Sequence, residues 1–185
     1  MNELASNYLY KDVLQYQNIK KPNLIIDLLR ALALQLGSEV SVHELTSLLK
    51  QNSHTVLRYI ELLEKSFVIF RLRAFARNLR NEISKTQKIY FFDLGIRNSL
   101  IQNLNPVALR NDTGGLWENF CILERMKYLD NNRKFVNTYF WRTYNQQEID
   151  YIEEYGGMLH TFEFKYASAK KVTIPKAFRS SYPEY

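Results

Sequence analysis

The chain has 185 residues and a mass of 22.0 kDa, room for one domain or two small ones. Hydrophobic residues make up 46% and charged residues 24%, a globular balance that excludes a disordered or low-complexity chain. Lys and Arg number 25 against 19 Asp and Glu, so the net charge of +6 suits a polyanionic partner without demanding one. The single cysteine, Cys121, excludes an intramolecular disulfide framework and fits a reducing compartment. His43, His54 and His160 have none of the spacings of a zinc finger. The first residues lack the basic start and apolar run of a signal peptide, and the longest apolar stretch, Leu24 to Leu36, is broken by Asp27 and Arg30. The expectation is a cytoplasmic protein with no membrane span.

The first half reads as helical. After a short mixed segment at Tyr8 to Tyr16, Pro22 opens a helix whose Leu24, Ile25, Leu28, Leu29, Leu32 and Leu36 recur at three- and four-residue steps. Gly37 is placed to stop it. Ser41 and Glu44 match a capping box for a second helix carrying Leu45, Leu48 and Leu49. Asn52-Ser53 starts a third, with Val56, Ile60 and Leu63 inward as far as Lys65. Phe67 to Phe75 and Lys88 to Phe92 read as strands, separated by a polar turn from Arg77 to Thr86. Helix, helix-turn-helix and two-stranded ribbon is the order of a winged helix, expected over residues 1–104.

Asn105-Pro106 and Gly114-Gly115 punctuate the chain and mark a boundary. The second domain is expected over residues 105–185. There Leu116 to Leu129 reads as a helix with Leu116, Phe120, Leu123 and Lys127 on one line. Val136 to Arg142, Glu148 to Glu154 and Leu159 to Tyr166 read as strands, with Gly156-Gly157 turning the last pair into a hairpin. Pro175 is placed to open a final helix at Lys176 to Arg179. The expected class is α/β (α+β).

Charge is uneven. Between residues 71 and 97, Arg71, Arg73, Arg77, Arg80, Lys85, Lys88 and Arg97 face only Glu82 and Asp93. Arginines interleaved with Phe70 and Phe75 suit a phosphate backbone, and Arg58 and Lys65 project outward from the third helix to add to the candidate nucleic-acid-binding set. A solvated basic face on a packing module is the alternative.

The most informative constellation is Glu118, Asp150 and Glu163-Phe164-Lys165. Period-two geometry puts Glu163 and Lys165 side by side on one face of a strand, with Asp150 across the hairpin. Carboxylates held close repel unless a divalent cation or the ammonium compensates, and Mg²⁺ takes such oxygen ligands. Spacing alone favours a half-exposed strand ion pair and a hairpin Asp, because ExK is a common tripeptide.

Five segments occur in order: Tyr90-Phe91-Phe92-Asp93-Leu94-Gly95, Gly115-Leu116-Trp117-Glu118-Asn119-Phe120, Tyr139-Phe140-Trp141-Arg142-Thr143, Glu148-Ile149-Asp150-Tyr151 and Phe162-Glu163-Phe164-Lys165. Together they resemble the C-terminal region of a large prokaryotic family of predicted AAA+ ATPases. That region is similar to a winged helix followed by a PD-(D/E)XK nuclease-like domain. The resemblance implies that Glu118 is the acidic residue of the first nuclease-fold helix, Asp150 the strand Asp, and Glu163 and Lys165 the terminal ExK. It implies a Mg²⁺ site of Asp150, Glu163 and Glu118, with Lys165 beside the reacting phosphate, and DNA as partner. None of the six glycines belongs to GxxxxGK[ST], so ATP is not expected to bind here. The expected partners are then a separate AAA+ ATPase domain or a second copy. The final Tyr182-Pro183-Glu184-Tyr185 stops where that family continues into another strand, so the nuclease-like domain is expected to be partial, with an open sheet edge. A non-catalytic DNA- or protein-binding module that packs on an ATPase domain is the competing expectation.

Three other features read as structural. Tyr139 to Arg142 suits a buried strand with Arg142 paired to Glu148 better than a base-stacking platform. Cys121 falls mid-helix and reads as a small apolar residue. His43 and His160 lack the partners of a catalytic triad.

Overall fold

Helix caps and turn residues set most element boundaries. The computed structural model describes residues 22–76, 87–143, 145–166 and 173–184. The expected segment at Tyr8 to Tyr16 and the turn from Arg77 to Thr86 lie outside them. The chain forms two compact units, residues 1–71 with 89–111 and residues 72–88 with 112–185. Among the described residues there are six helices and six strands, a mixed α/β architecture.

In the first unit, helix α1 (Pro22–Leu34) buries Leu24, Ile25, Leu28, Leu29 and Leu32 of the periodic face read from the sequence, whereas Leu36 lies beyond its end and is only partly buried. Gly37 follows at φ 77°, a left-handed conformation that glycine adopts without steric cost. The carbonyl of Ala33, in the last turn of α1, has no helical donor of its own. It accepts from Arg97 Nε at 2.9 Å and from Nη2 at 2.6 Å. Arg97 is therefore a buried C-terminal cap, and its charge is not part of an outer basic face.

Strand β1 (Glu39–Val40) leads to helix α2 (Val42–Leu49). The capping box at its start is half made. Ser41 Oγ accepts from the Glu44 N–H at 3.4 Å, while Glu44 Oε1 accepts from Gln35 Nε2 at 3.2 Å. Helix α3 (Ser53–Lys65) is capped by Asn52, whose Oδ1 accepts from Thr55 N–H at 2.8 Å, and it buries Val56, Tyr59, Ile60, Leu62 and Leu63. Strand β2 (Ile69–Ala74) begins later than the β-rich run suggests. Phe67 sits at φ 54°, exposed, where the chain turns out of α3. Strand β3 (Gln87–Phe91) precedes helix α4 (Leu94–Leu100), capped by Asp93. The strand order in this unit is β1-β3-β2. Ile69, Ile89 and Phe91 close the core formed by α1, α2 and α3.

The second unit takes in the end of β2 and the start of β3, with Lys88, and resumes at α5 (Thr113–Asn131). Its buried face is Asn119, Ile122, Leu123 and Leu129, which corrects the expected line. Phe120 is 46% exposed and Lys127 is exposed, so only Leu123 of the downstream members turns fully inward. Strand β4 (Asn137–Arg142) runs parallel to β2 through Arg73↔Tyr139 and Ala74↔Phe140. It pairs antiparallel with β5 (Glu148–Tyr155), with a register shift between Tyr139 and Trp141. Strand β6 (Met158–Phe162) pairs antiparallel with β5, giving the order β2-β4-β5-β6. Gly156 and Gly157 make the β5–β6 turn at φ 60° and 75°, the positive pair a two-residue hairpin needs. Pro175 precedes helix α6 (Lys176–Ser181). Its Phe178, with Tyr182, packs on Phe75, Trp141, Ile149 and Ile152. Among the described residues no helix is long and apolar enough to cross a membrane.

The last strand is shorter than expected. It stops at Phe162, so Glu163, Phe164 and Lys165 lie beyond the ladder. The Phe164 N–H is satisfied by a side chain, donating to Asp150 Oδ2 at 2.8 Å.

Candidate functional site

One face of the second unit gathers charge from four elements. Strand β5 supplies Glu148 and Asp150, whose i, i+2 spacing sends both to the same side of the sheet. Helix α5 contributes Glu118 from near its start. One carboxylate oxygen from each of Glu118, Glu148 and Asp150 lies within 4.8 Å of the other two. Three acids this close are unfavourable unless cations compensate.

Two lysines lie against them, and Arg142 Nε stands farther off, 3.9 Å from Glu148 Oε2. Lys88, on β3, is fully buried and donates from Nζ to Glu118 Oε1 at 2.9 Å and also to Glu148. Its ammonium stands 5.5 Å from the Phe140 ring centroid. Burial pulls the Lys88 pKa down, but the charges of Glu118 and Glu148 and their hydrogen bonds outweigh it, so the net shift is upward and the group stays cationic. The second cation, Lys165, is half-exposed, with Nζ 3.6 Å from Asp150 Oδ2 and paired to Glu163. Burial lowers its pKa, while the Glu163 hydrogen bond and the charges of Asp150, Glu163 and Glu118 raise it further. Neither lysine is poised as a neutral base.

The expected residues are thus distributed as follows. Glu118 and Asp150 come together; Lys165 contacts Asp150 and Glu163. The third acid of the close group is Glu148, and Glu163 is held through Lys165. Phe162 and Phe164 stack with centroids 6.4 Å apart, whereas Tyr166 turns to Trp117 in an edge contact at 5.9 Å. The i, i+2 pair Glu148/Asp150 was the available signal for the third acid, and Lys88 had none beyond its place in a basic run. Oxygen donors in this number suit a hard divalent ion such as Mg²⁺ or Mn²⁺ better than a soft one.

The helix beneath the site is fixed by a second ion pair. Glu153, fully buried on β5, accepts from Arg125 Nε at 2.5 Å and Nη2 at 2.9 Å, a bidentate pair. The Arg125 guanidinium also lies 4.9 Å from the Phe162 ring centroid.

Of the candidate nucleic-acid contacts, Arg58 is exposed, and Lys65 is exposed but paired to Glu61 at 2.7 Å. Arg71 is paired with Glu64. Arg73 is exposed on β2, and Arg77 and Arg80 lie outside the described residues. Phe140 and Trp141 are buried, and Arg142 Nε lies 3.9 Å from Glu148 Oε2, as a core strand requires. Burial pushes the Cys121 thiol up, away from thiolate chemistry. The His160 ring stacks on Tyr155 at 4.3 Å.

A model described as a domain of unknown function, DUF8612, matches residues 1–107. The chain belongs to the DUF8612 family. Residues 113–185 of this DUF8612 chain, the stretch carrying Glu118, Glu148, Asp150, Glu163 and Lys165, match a second domain of unknown function, DUF4143. Two curated relatives are similar to it, the uncharacterized proteins Mb2031c of Mycobacterium bovis and Rv2008c of Mycobacterium tuberculosis. Each is 28% identical over 147 residues, covering 78% of this chain and 32% of the relative. The DUF8612 chain therefore spans about a third of the length of the curated relatives it matches. No solved structure matches it significantly.

Proposed function

We propose that the second unit carries a divalent-cation-dependent phosphodiester-hydrolysing site of the PD-(D/E)XK kind, within a nucleic-acid-associated protein related to AAA+ ATPases. The observation that carries this reading is the three-carboxylate group of Glu118, Glu148 and Asp150, with Lys165 against Asp150. Glu118, Glu148 and Asp150 are the residues to hold Mg²⁺, with Glu163 reaching the site only through Lys165. Bound there, the ion supplies Lewis-acid polarisation of a phosphodiester and a water acidified toward neutral pH. Lys165, kept protonated and half-exposed, is suited to neutralise charge developing on a reacting phosphate. Glu163 orients that ammonium. In the first unit, the winged-helix reading gives Arg58 and Lys65 the role of phosphate contacts; Arg73, on β2, extends the same role.

The test is cleavage of duplex and single-stranded DNA by the full chain with Mg²⁺ or Mn²⁺. Activity abolished by EDTA, by Asp150→Ala and by Lys165→Ala is the expected result. Cleavage indifferent to EDTA or to Asp150→Ala excludes the metal mechanism.

A second reading has its own observation. Lys88 and Lys165 already offset the acids, as a DNA- or protein-binding module that regulates an ATPase would need without any metal. Calorimetric titration of Mn²⁺ into wild type and Asp150→Ala separates the two, since the module predicts no difference.

A further inference from the structure

Lys88 is the most deeply buried cation of the site, its side chain 1% exposed. It is held by two of the three acids that form the close group, Glu118 and Glu148, while its ammonium faces the Phe140 ring. A lysine taken fully out of water is costly and persists only where charge and hydrogen bonding compensate. Here that compensation comes from two of the same carboxylates a divalent ion would need. A carboxylate oxygen in contact with an ammonium has a lone pair engaged, and an ammonium a few ångströms from a dication repels it. Lys165 differs, being half-exposed and able to swing into solvent.

We infer that Lys88 is a tethered counterion of this cluster that competes with divalent metal for Glu118 and Glu148, so that metal loading requires its withdrawal. The inference rests on the carboxylate group being a cation site, as in the preceding reading, and adds what controls its occupancy. Lys88 thereby acts as a metal-affinity determinant, a positioning residue that touches neither substrate nor reacting atoms. Without a dication, Lys88 holds Glu118 and Glu148 together. With one, the ammonium must leave the acids, and the strand that carries it must accommodate the change.

The experiment measures Mn²⁺ binding by calorimetry to the full chain, with no nucleic acid present, comparing wild type, Lys88→Met and Lys88→Met/Asp150→Asn. Methionine keeps the length and apolar packing of the lysine stem without its charge. Lys88→Met should bind Mn²⁺ at least about tenfold more tightly than wild type, a gain the Asp150→Asn change removes. A folded Lys88→Met protein that binds Mn²⁺ no more tightly, or not at all, overturns the inference. If Lys88→Met does not fold without metal, the melting transition is followed on adding Mn²⁺. Recovery of a cooperative transition supports exchange of ammonium for metal, and no recovery overturns it. The hydrolysis reading fails separately: tighter Mn²⁺ binding by Lys88→Met together with no metal-dependent DNA cleavage by any form leaves the counterion role standing and removes the nuclease.

Discussion

Asp150 Oδ2 accepts the backbone N–H of Phe164 at 2.8 Å, at the point where β6 has ended. One carboxylate thus holds the chain between Glu163 and Lys165 in place and presents charge to Lys165. The two roles separate by substitution. Asp150→Asn keeps an oxygen acceptor and loses the charge; Asp150→Ala loses both. Hydrogen exchange at Phe164 should stay protected in the Asn variant and become fast in the Ala variant. The Ala variant should also be less stable than the Asn variant by about 1 kcal/mol. Equal protection in both would mean that the segment is held by something else.

Arg125 and Glu153 form a bidentate pair in which the carboxylate is fully buried while the guanidinium is partly exposed. Removing the cation strands a buried charge, so Arg125→Met should cost about 3–5 kcal/mol in chemical denaturation. Replacing both members, as Arg125→Met with Glu153→Leu, should recover much of that loss, because no unpaired charge remains. A double variant as unstable as the single one would place the cost in packing.

The alkaline limb of stability follows from Tyr151. Burial first, and the Glu153 charge second, push its ionisation well above the ordinary value of 10.0. Above that value the unfolded chain releases the phenolic proton while the native chain keeps it. The unfolded state then binds fewer protons, and stability falls as pH rises. Lys88 and Lys165, whose pKa values are also raised, act in the same direction above the ordinary lysine value of 10.5. Tyr151→Phe should therefore flatten the decline that begins near pH 10 and leave stability at neutral pH within about 1 kcal/mol. A melting-temperature profile from pH 7 to 11 reads this directly.

If the basic residues contact DNA, they are not equivalent. Arg58 and Arg73 are exposed, whereas Arg71 is engaged by Glu64. Neutralising Arg58 or Arg73 to Gln should weaken binding across sequences and reduce the salt dependence by about one unit of slope per lost phosphate contact. Arg71→Gln should change the melting temperature more than the slope. Fluorescence anisotropy between 50 and about 200 mM salt distinguishes them.

Where a signal is local, the sequence carried it. Asn52 announces α3, Gly156-Gly157 the hairpin, and the leucine spacing of α1 its buried face, because caps, positive φ angles and helical periodicity each involve a few neighbouring residues. Glu118 and Asp150 were legible only as members of an ordered motif set. Lys88 was not: in the sequence it is one cation in a basic run, and its burial depends on acids placed 30 residues later at Glu118 and beyond. Arg97 was misread for the same reason, since its partner is the Ala33 carbonyl 64 residues earlier. The end of β6 escaped because a side-chain acceptor, Asp150, replaces a ladder carbonyl, and residue alternation carries no trace of that exchange. The α5 face failed through phase: Phe120 satisfies the hydrophobic spacing but points outward, while a polar residue, Asn119, is fully buried.

Arg125 lies two turns beyond Glu118 on α5, about 10 Å along the axis and near the same rotational phase. A rod clamped at two levels on one side has lost its freedom to roll. Glu118 is therefore re-aimed through its own torsions rather than by rotation of the helix that carries it.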